Sequence, residues 1–391
     1  MSLNARTRTV IGIGVSQTLA WASTYYLPAI LAEPMARDLG LSTLSVFAAL
    51  SVALLIAAVL GPLAGRLIDR FGGRPVLSLT SVIAATGLGL LAISSGPVSL
   101  CLAWIVIGVA MSAGLYEAAF ATVVRLHGRD ARSAITGIAL IAGFASTVGW
   151  PLSGWLEHVW GWRGACATWA VLHLLIGLPI HLRLPAAPAQ GGSSGPVAEA
   201  AHAPQAPPPR AGLITVLLAI SFAVTWFSST AMAAHLPHLL QIVGLSAGTA
   251  IGAAALVGPS QVGARIFEFT LMRRLHPLLS ARLASAAHPL GGVILLALGA
   301  PAVVLFASLH GAGNGILTIA KGTLPLVLFG PLGYGTRQGW LMVPARIAQA
   351  LAPLVFGIAL ERYGTGALWL TIGLGLVGLI AVLLIPARSK A

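Results

Sequence analysis

The chain alternates long apolar runs with short polar breaks, a pattern that predicts membrane-spanning helices. The runs reach the roughly 20 residues needed to cross the hydrocarbon core, and in lipid such a run satisfies its backbone groups only as a helix. The first run, residues 10–31, is long for the core of a signal peptide and has no convincing cleavage site, so we expect it to be retained. The breaks predict twelve helices, at residues 9–32, 42–66, 74–95, 98–123, 133–157, 162–183, 212–239, 246–270, 278–299, 301–323, 335–360 and 365–386.

Composition supports the same class. The chain has 391 residues, of which 57% are hydrophobic and 8% are charged, and its mean hydropathy is +0.93. Soluble domains carry about 25% charged residues, so the composition excludes a water-soluble globule. The sequence therefore predicts an all-α membrane protein.

The middle of the chain has a different character. Residues 185–210 alternate Pro with Ala, Gly, Ser and Gln, a composition that cannot bury a core and that predicts a linker. It separates an N-terminal six-helix bundle (1–184) from a C-terminal one (211–391). The Pro-Leu pairs at 151–152 and 353–354 are separated by about one half-chain, as expected for two pseudo-symmetric halves.

The net charge of +13 is explained by membrane topology. If the N-terminus is cytoplasmic, seventeen of the 22 basic residues, Lys321 among them, fall on the inner side, and only Arg37, Arg163 and Arg362 fall outside. This bias places both termini in the cytoplasm, and we expect a monomer in a bacterial inner membrane. There is no basic stripe interleaved with exposed aromatic residues, so nucleic acid is excluded as a partner.

A charged, glycine-bearing turn joins the second and third predicted helices. Gly65 permits close helix approach, and Asp69 is placed to meet a helix N-terminus or a nearby arginine. The turn resembles the loop signature of the major facilitator superfamily, G-x-L-a-D-R-x-G-R-R-x-x-L, with Ile68 and Gly73 as departures. The matching residues are Gly65, Leu67, Asp69, Arg70, Gly72, Arg74 and Leu77. The resemblance implies a twelve-helix transporter in which this loop is a conformational latch, with Arg125 as a partner for Asp69.

The subfamily is indicated by partial matches. Proton-driven drug exporters usually carry R-x-x-x-G in the fourth helix, and here Trp104 stands where the arginine would be. Their fifth-helix signature is matched only in part at residues 149–154. Residues 161–163 and 261–265 resemble monocarboxylate and oxalate/formate-type carriers, although the acid-glycine signature of animal monocarboxylate carriers is absent from the first helix. In those relatives the arginine at the position of Arg265 pairs with the substrate carboxylate, and Gln261 stands at the polar position four residues before it.

Three charged residues are expected deep in the bilayer. Glu117 is the one carboxylate among nine acidic residues placed well within it, where a charge costs about 2.5–3.5 kcal/mol, so it either couples a proton or forms a structural pair. Arg265 and Arg346 carry the planar fork that suits carboxylates and other oxyanions. The alternative is that Glu117 and Glu268 neutralise both arginines without a ligand.

Uncharged polar residues complete the candidate substrate site. The family resemblance implies that the first, fourth, seventh and tenth helices line the cavity, although each such residue alone also fits helix packing. The candidates are Gln17, Trp21, Tyr25, Trp226, His310 and Asn314.

We expect no metal, cofactor or enzymatic activity. His235 and His238 have no third ligand nearby, and no phosphate-binding loop for ATP is present. The scattered histidines and serines show no base–orienter arrangement.

The sequence thus predicts a secondary transporter that moves a small organic anion, monocarboxylate-like, together with H+ by alternating access. The alternatives are an efflux pump for drugs, metal-chelates or other toxic organics, and a non-transporting membrane receptor.

Overall fold

The computed structural model describes residues 4–186, 210–272 and 276–386, and these residues fold into helices with no strand among them. The helices before the linker are α1 (Ala5–Ser23), α2 (Pro28–Leu39), α3 (Thr43–Phe71), α4 (Gly73–Ala92), α5 (Pro97–Gly114), α6 (Tyr116–His127), α7 (Arg132–Ala142), α8 (Ala145–Leu172) and α9 (Leu178–Leu182). Those after it are α10 (Ala211–Ile242), α11 (Ala247–Ala255), α12 (Val257–Thr270), α13 (Pro277–Leu298), α14 (Val303–Phe329), α15 (Tyr334–Tyr363) and α16 (Leu368–Leu383).

These helices follow the twelve predicted segments, but several segments are broken. The first is two helices, α1 and α2, which together extend beyond the predicted 9–32. Pro28 has no N–H to continue α1 and instead occupies the first turn of α2, where a missing N–H costs nothing. The fourth and eighth segments, predicted as continuous, break at Leu115 and at Leu256. Gly161, with φ of 68°, marks the junction of the fifth and sixth segments inside α8.

Seven helical stretches of the described chain, some of which join several successive helices, are long and apolar enough to cross a membrane. Two of them, Pro97–Leu182 and Tyr334–Leu383, contain 86 and 50 residues, which is enough for more than one crossing each. The eighth segment does not qualify because its break leaves helices of 9 and 14 residues.

Packing divides the chain into two compact units. The first unit contains the described part of Met1–Ala206 together with Leu328–Val343, and the second contains the described parts of Pro207–Val327 and Pro344–Ala391. The first ten residues of α15 therefore belong to the N-terminal unit, although they follow the linker in sequence. The linker predicted at 185–210 lies almost entirely outside the described residues.

The second unit has a buried core formed by α10, α11, α13, α14, α15 and α16. Its large members include Leu239, Phe306, Phe356, Leu368 and Ile372, each at most 1% exposed. Because lipid is as apolar as these side chains, close packing and not water exclusion holds such helices together.

Candidate functional site

The charged loop after α3 holds the beginning of α15. The carboxylate of Asp69 accepts hydrogen bonds from the backbone N–H groups of Gly335 (2.9 Å) and Thr336 (2.7 Å), and from the Thr336 hydroxyl (2.8 Å). The N–H groups of a first helical turn have no partner within the helix, and the positive end of the dipole favours an anion there. Of the two partners that the sequence left open for Asp69, the helix N-terminus is therefore observed.

Glycines on both helices make this contact possible. A Cβ at Gly65 would lie 2.1 Å from the carbonyl oxygen of Gly335, and a Cβ at Gly335 would lie 2.6 Å from that of Gly65. Both distances are below any real contact, so the backbones of α3 and α15 touch at this point. Gly72 ends α3 with φ of 80°, a left-handed conformation that L side chains rarely adopt.

The basic residues of the loop lie beside this contact. Arg70 and Arg74 are exposed, and the guanidinium of Arg70 lies 5.0 Å from the ring centroid of Phe71. Arg125 lies in the last turn of α6 and is half-buried; its pairing with Asp69 stays a prediction. Arg337, in the first turn of α15, donates to the carbonyl of Leu332 at 3.1 Å. It thereby fixes the turn that leads into the helix held by Asp69.

In the first unit, candidate residues gather where α5 ends and α6 begins. Gln17 donates from Nε2 to the carbonyl oxygen of Gly114 at 2.7 Å, which the end of α5 leaves available. The Oε1 atom of Gln17 is buried and accepts no hydrogen bond within the described residues. The ring of Trp21 lies 5.3 Å from Tyr25 and 5.0 Å from Tyr116, between centroids.

Glu117 lies in the first turn of α6 and is 9% exposed. The helix break at Leu115, which the sequence did not reveal, gives Glu117 the position where a helix dipole favours negative charge. Glu117 also interacts electrostatically with Tyr334, the first residue of α15. The N-terminus of α6 therefore stabilises the buried carboxylate of Glu117, in addition to the proton or the structural pair considered from the sequence.

In the second unit, Gln261 and Arg265 lie one turn apart on α12, as predicted. Arg265 is 4% exposed, and its Nη2 donates to Oε1 of Gln261 at 3.5 Å, while its Nε donates to the carbonyl of Gly315 on α14 at 3.4 Å. Glu268, one turn further along, is buried as well. Since a Cβ at Gly315 would lie 2.5 Å from the Gln261 carbonyl oxygen, α12 and α14 are in backbone contact.

Lys321 was predicted to lie on the cytoplasmic side at the end of the tenth helix, and that prediction is wrong. α14 continues through Pro325 to Phe329, and Lys321 is 2% exposed with its Nζ 4.3 Å above the ring of Trp226 on α10. The tenth helix was predicted to end at residue 323, two residues before Pro325, and proline usually disrupts a helix, but here the helix continues through it. The available signal was the absence of any further charged residue between Lys321 and Phe329.

The remaining candidates have these positions. Asn314 donates to Oγ of Ser229 on α10 at 2.8 Å, four residues along α14 from His310. His310 pairs with His288 of α13, and Arg346 is buried on α15 at 5% exposure.

The imidazole Nε2 of His235 hydrogen-bonds to the carbonyl of Pro353 at 2.8 Å, a structural contact. No group of three or more His, Cys, Asp or Glu suited to a metal occurs among the described residues.

Long apolar helices around buried charges define a multi-pass membrane transport protein, and comparison with known proteins agrees. The family model of the Major Facilitator Superfamily matches residues 13–320. The chain belongs to this superfamily of membrane transporters, and the predicted all-α fold is confirmed.

Three solved structures share the fold. The human organic anion transporter MFSD10 (TETRAN) is 17% identical, with 97% of this chain and 100% of that one covered at a TM-score of 0.69. The proton:xylose symporter XylE is 12% identical, with coverage of 96% and 95% and a TM-score of 0.75. The transporter FucP in the outward conformation is 14% identical, with coverage of 99% and 100% and a TM-score of 0.74.

One curated sequence is also similar, an uncharacterised 38 kDa protein in the 23S RNA operon of Thermoproteus tenax. It is 29% identical, with 85% of this chain and 91% of that protein covered. The name of that protein gives no substrate.

Proposed function

We propose that this transporter moves a small organic anion, monocarboxylate-like, together with a proton by alternating access of its two halves. In this proposal the protein is a monomer in a bacterial inner membrane, with both termini in the cytoplasm. Arg265 and Lys321 attract the anion, and Glu117 carries the proton.

The observation that carries the proposal is an excess of buried positive charge in the second unit. Arg265, Lys321 and Arg346 are each at most 5% exposed, whereas Glu268 is the one carboxylate buried to that degree among the unit's described residues. Ionised side chains at such depth are costly and mark substrate or ion pathways. An anionic substrate would offset this excess.

The chemistry around Arg265 suits a carboxylate. Its contacts with Gln261 and Gly315, at 3.5 and 3.4 Å, are longer than the usual 2.7–3.2 Å of an N–H···O hydrogen bond. Carboxylate oxygens would form shorter, charge-assisted bonds with the same guanidinium. Lys321 lies on the adjacent α14, and the ring of Trp226 beneath it stabilises the ammonium by a cation–π contact worth about 2 kcal/mol when desolvated.

The other predicted contacts are assigned supporting roles. Gln17, Trp21 and Tyr25 would contact substrate from the first unit, and Asn314, His310 and Arg346 from the second. Gly65, Asp69, Arg70, Gly72, Arg74 and Arg125 would form the latch. Two structural neighbours with this fold are an organic anion transporter and a proton:xylose symporter, and both names are compatible with the proposal.

Ligand-dependent thermal stability of the detergent-purified protein tests the proposal. A ligand that binds only the folded state stabilises it by about 2.7 kcal/mol at a concentration 100 times its Kd. We expect small carboxylates to raise the melting temperature of the wild-type protein. The Arg265→Lys variant keeps the charge but loses the planar fork of arginine. We expect carboxylates not to stabilise this variant, and we expect its transport rate to fall at least tenfold. The exposed Arg362→Lys is the matched control. Normal carboxylate binding and uptake by Arg265→Lys would refute the anion site.

One observation favours the alternative of an efflux pump. Trp21, Tyr25 and Tyr116 form an aromatic cluster in the first unit, and such rings bind bulky apolar or cationic molecules. In the same assay, stabilisation by amines or large hydrophobic compounds alone would support export over anion transport.

A further inference from the structure

A polar cavity lies within the second unit, between α10, α13, α14 and α16. It offers about 30 Å³ to the centres of water-sized molecules, and one water needs roughly 10–15 Å³, so there is room for about two. Its polar lining consists of Thr225, Ser228, Ser285, His288, His310 and Asn314.

Three polar atoms of this lining have no hydrogen-bond partner in the described parts of the chain. They are Oγ of Ser228, Oγ of Ser285 and Nε2 of His288. Both serines are more than nine-tenths buried, at 5% and 8% exposure. Buried polar groups are nearly always hydrogen-bonded, so this cluster indicates that the cavity takes a small polar occupant.

The two histidines form a pair across the cavity wall. Nδ1 of His288 and Nδ1 of His310 are 2.8 Å apart, so one nitrogen donates its proton to the other. In the neutral pair each ring carries one proton, and the ring that donates from Nδ1 must therefore have an unprotonated Nε2. A proton added to that Nε2 leaves the hydrogen bond intact and turns it into a charge-assisted one. A second proton would remove the accepting Nδ1, so the pair is built for one proton.

No other ionisable group lines this cavity among the described residues. The wall from α10 contributes Thr225 and Ser228, that from α14 contributes Asn314, and that from α16 contributes Gly375 and Gly378. The ring of Phe306 packs beside both histidines, with centroids 5.8 and 6.1 Å away. A proton on the pair would therefore meet no lining carboxylate.

Charged residues lie further along the neighbouring helices. Arg282 on α13 and Lys321 on α14 are six and eleven residues from the histidine on the same helix, roughly 9 and 16 Å along the axis. α12 carries Glu268 and Arg265, and Arg265 donates to a carbonyl only five residues along α14 from the histidine, roughly 7.5 Å of axial rise. Protonation of the pair would thus add positive charge close to the proposed anion site.

We infer that the His288–His310 pair is a one-proton binding site whose protonation favours anion binding at Arg265. The incoming proton moves from water in the cavity to Nε2 of one imidazole and leaves by the same atom. This inference rests on the proposed organic-anion transport and adds a coupling site in the second unit beside Glu117.

Exchange of the histidine C2 hydrogen for deuterium, followed by mass spectrometry on the full-length protein between pH 3.5 and 9, tests the site without any substrate. We expect the wild-type pair to take up one proton over this range, and not two. We expect the pH at the midpoint of each histidine's titration to move when the other histidine is changed to Gln. The expected shift is at least tenfold in proton concentration, which is one pH unit. The exposed His238→Gln is the control and should shift neither midpoint.

The inference would be overturned if the two histidines titrated independently or if the pair took up two protons. The wild-type titration curve alone shows the number of protons taken up, so this test does not depend on the folding of the Gln variants. The coupling is tested with oxalate and lactate as probes at pH 4 and 7.5. Binding should be about tenfold tighter at the lower pH and lose that dependence in the double Gln variant; a retained dependence overturns the coupling. If the pair titrates jointly but no carboxylate binds, the proposed anion function fails and the proton site stands.

Discussion

The contact between Gly65 and Gly335 makes a specific prediction about the start of α15. In Gly65→Ala the new Cβ would lie 2.1 Å from the Gly335 carbonyl oxygen, with no flexible side chain able to move aside. Carbon–oxygen contacts settle near 3.3 Å at the closest, so the first turn of α15 must retreat by roughly 1.2 Å. Gly61→Ala, one turn earlier on α3, is the matched control because its Cβ would lie at 3.7 Å from the nearest atom, an ordinary contact.

The magnitude follows from what that retreat breaks. The bonds from Gly335 and Thr336 to Asp69, now 2.9 and 2.7 Å, would lengthen to roughly 4 Å, beyond hydrogen-bonding range. A hydrogen bond to a charged group contributes about 1.5–3 kcal/mol, and each 1.4 kcal/mol is a factor of ten. We therefore expect amide hydrogen exchange at the start of α15 to become about 10- to 150-fold faster in Gly65→Ala.

Hydrogen–deuterium exchange of peptides covering residues 331–340, in detergent, measures this directly. Asp69→Asn removes the charge without moving a helix, and it should accelerate the same peptides. The reasoning is refuted if Gly65→Ala exchanges like the wild-type protein. Equal acceleration by Gly61→Ala would also refute it, because the effect would then not depend on the contact at Gly65.

Two further predictions concern other charges. The hydrogen bond from Arg163 lowers the pKa of exposed Asp38, so this pair stabilises the protein fully above the unfolded carboxyl value near 4 and loses its effect as the pH falls through the lowered value. Melting temperatures measured downward from pH 5 should therefore fall in the wild-type protein more than in Asp38→Asn, and equal slopes would contradict this. Lys321→Gln should weaken carboxylate binding at least tenfold in the thermal-stability assay while exposed Arg362→Gln leaves it unchanged; an unaltered affinity would remove Lys321 from the site.

The sequence predicted the helical passages well but not where they break. Hydropathy reports which residues face lipid or packed helices, and it is continuous through Leu115 and Leu256, where the helices are interrupted. The break at Leu115 matters most, because it places Glu117 in a first helical turn. A proline signals the break before α2, and it could have been read from the sequence.

In the candidate site, too, the sequence predicted contacts within one helix better than contacts between residues far apart in the chain. The sequence places Gln261 four residues before Arg265 on one predicted helix, and this spacing puts the two side chains within reach of each other in the structure. The hydrogen bonds of Asp69 join residues 266 and 267 positions apart, so the sequence could suggest the kind of partner but not which helix supplies it. Lys321 was misplaced because a single cation near a predicted helix end is normally a topology signal.

The membership of Leu328–Val343 in the first unit bears on how this protein can be dissected. The proline-rich stretch offers an obvious place to cut the gene, yet an N-terminal fragment ending there would lack the helix turn that Asp69 caps. Such a fragment would expose the carboxylate of Asp69 and the helix surface around Gly65, both of which contact the start of α15 in the whole protein. If the two halves were expressed separately, the second polypeptide would have to supply Leu328–Val343 to the first. Slow hydrogen exchange at the first turn of α15 would then report that the two polypeptides had assembled.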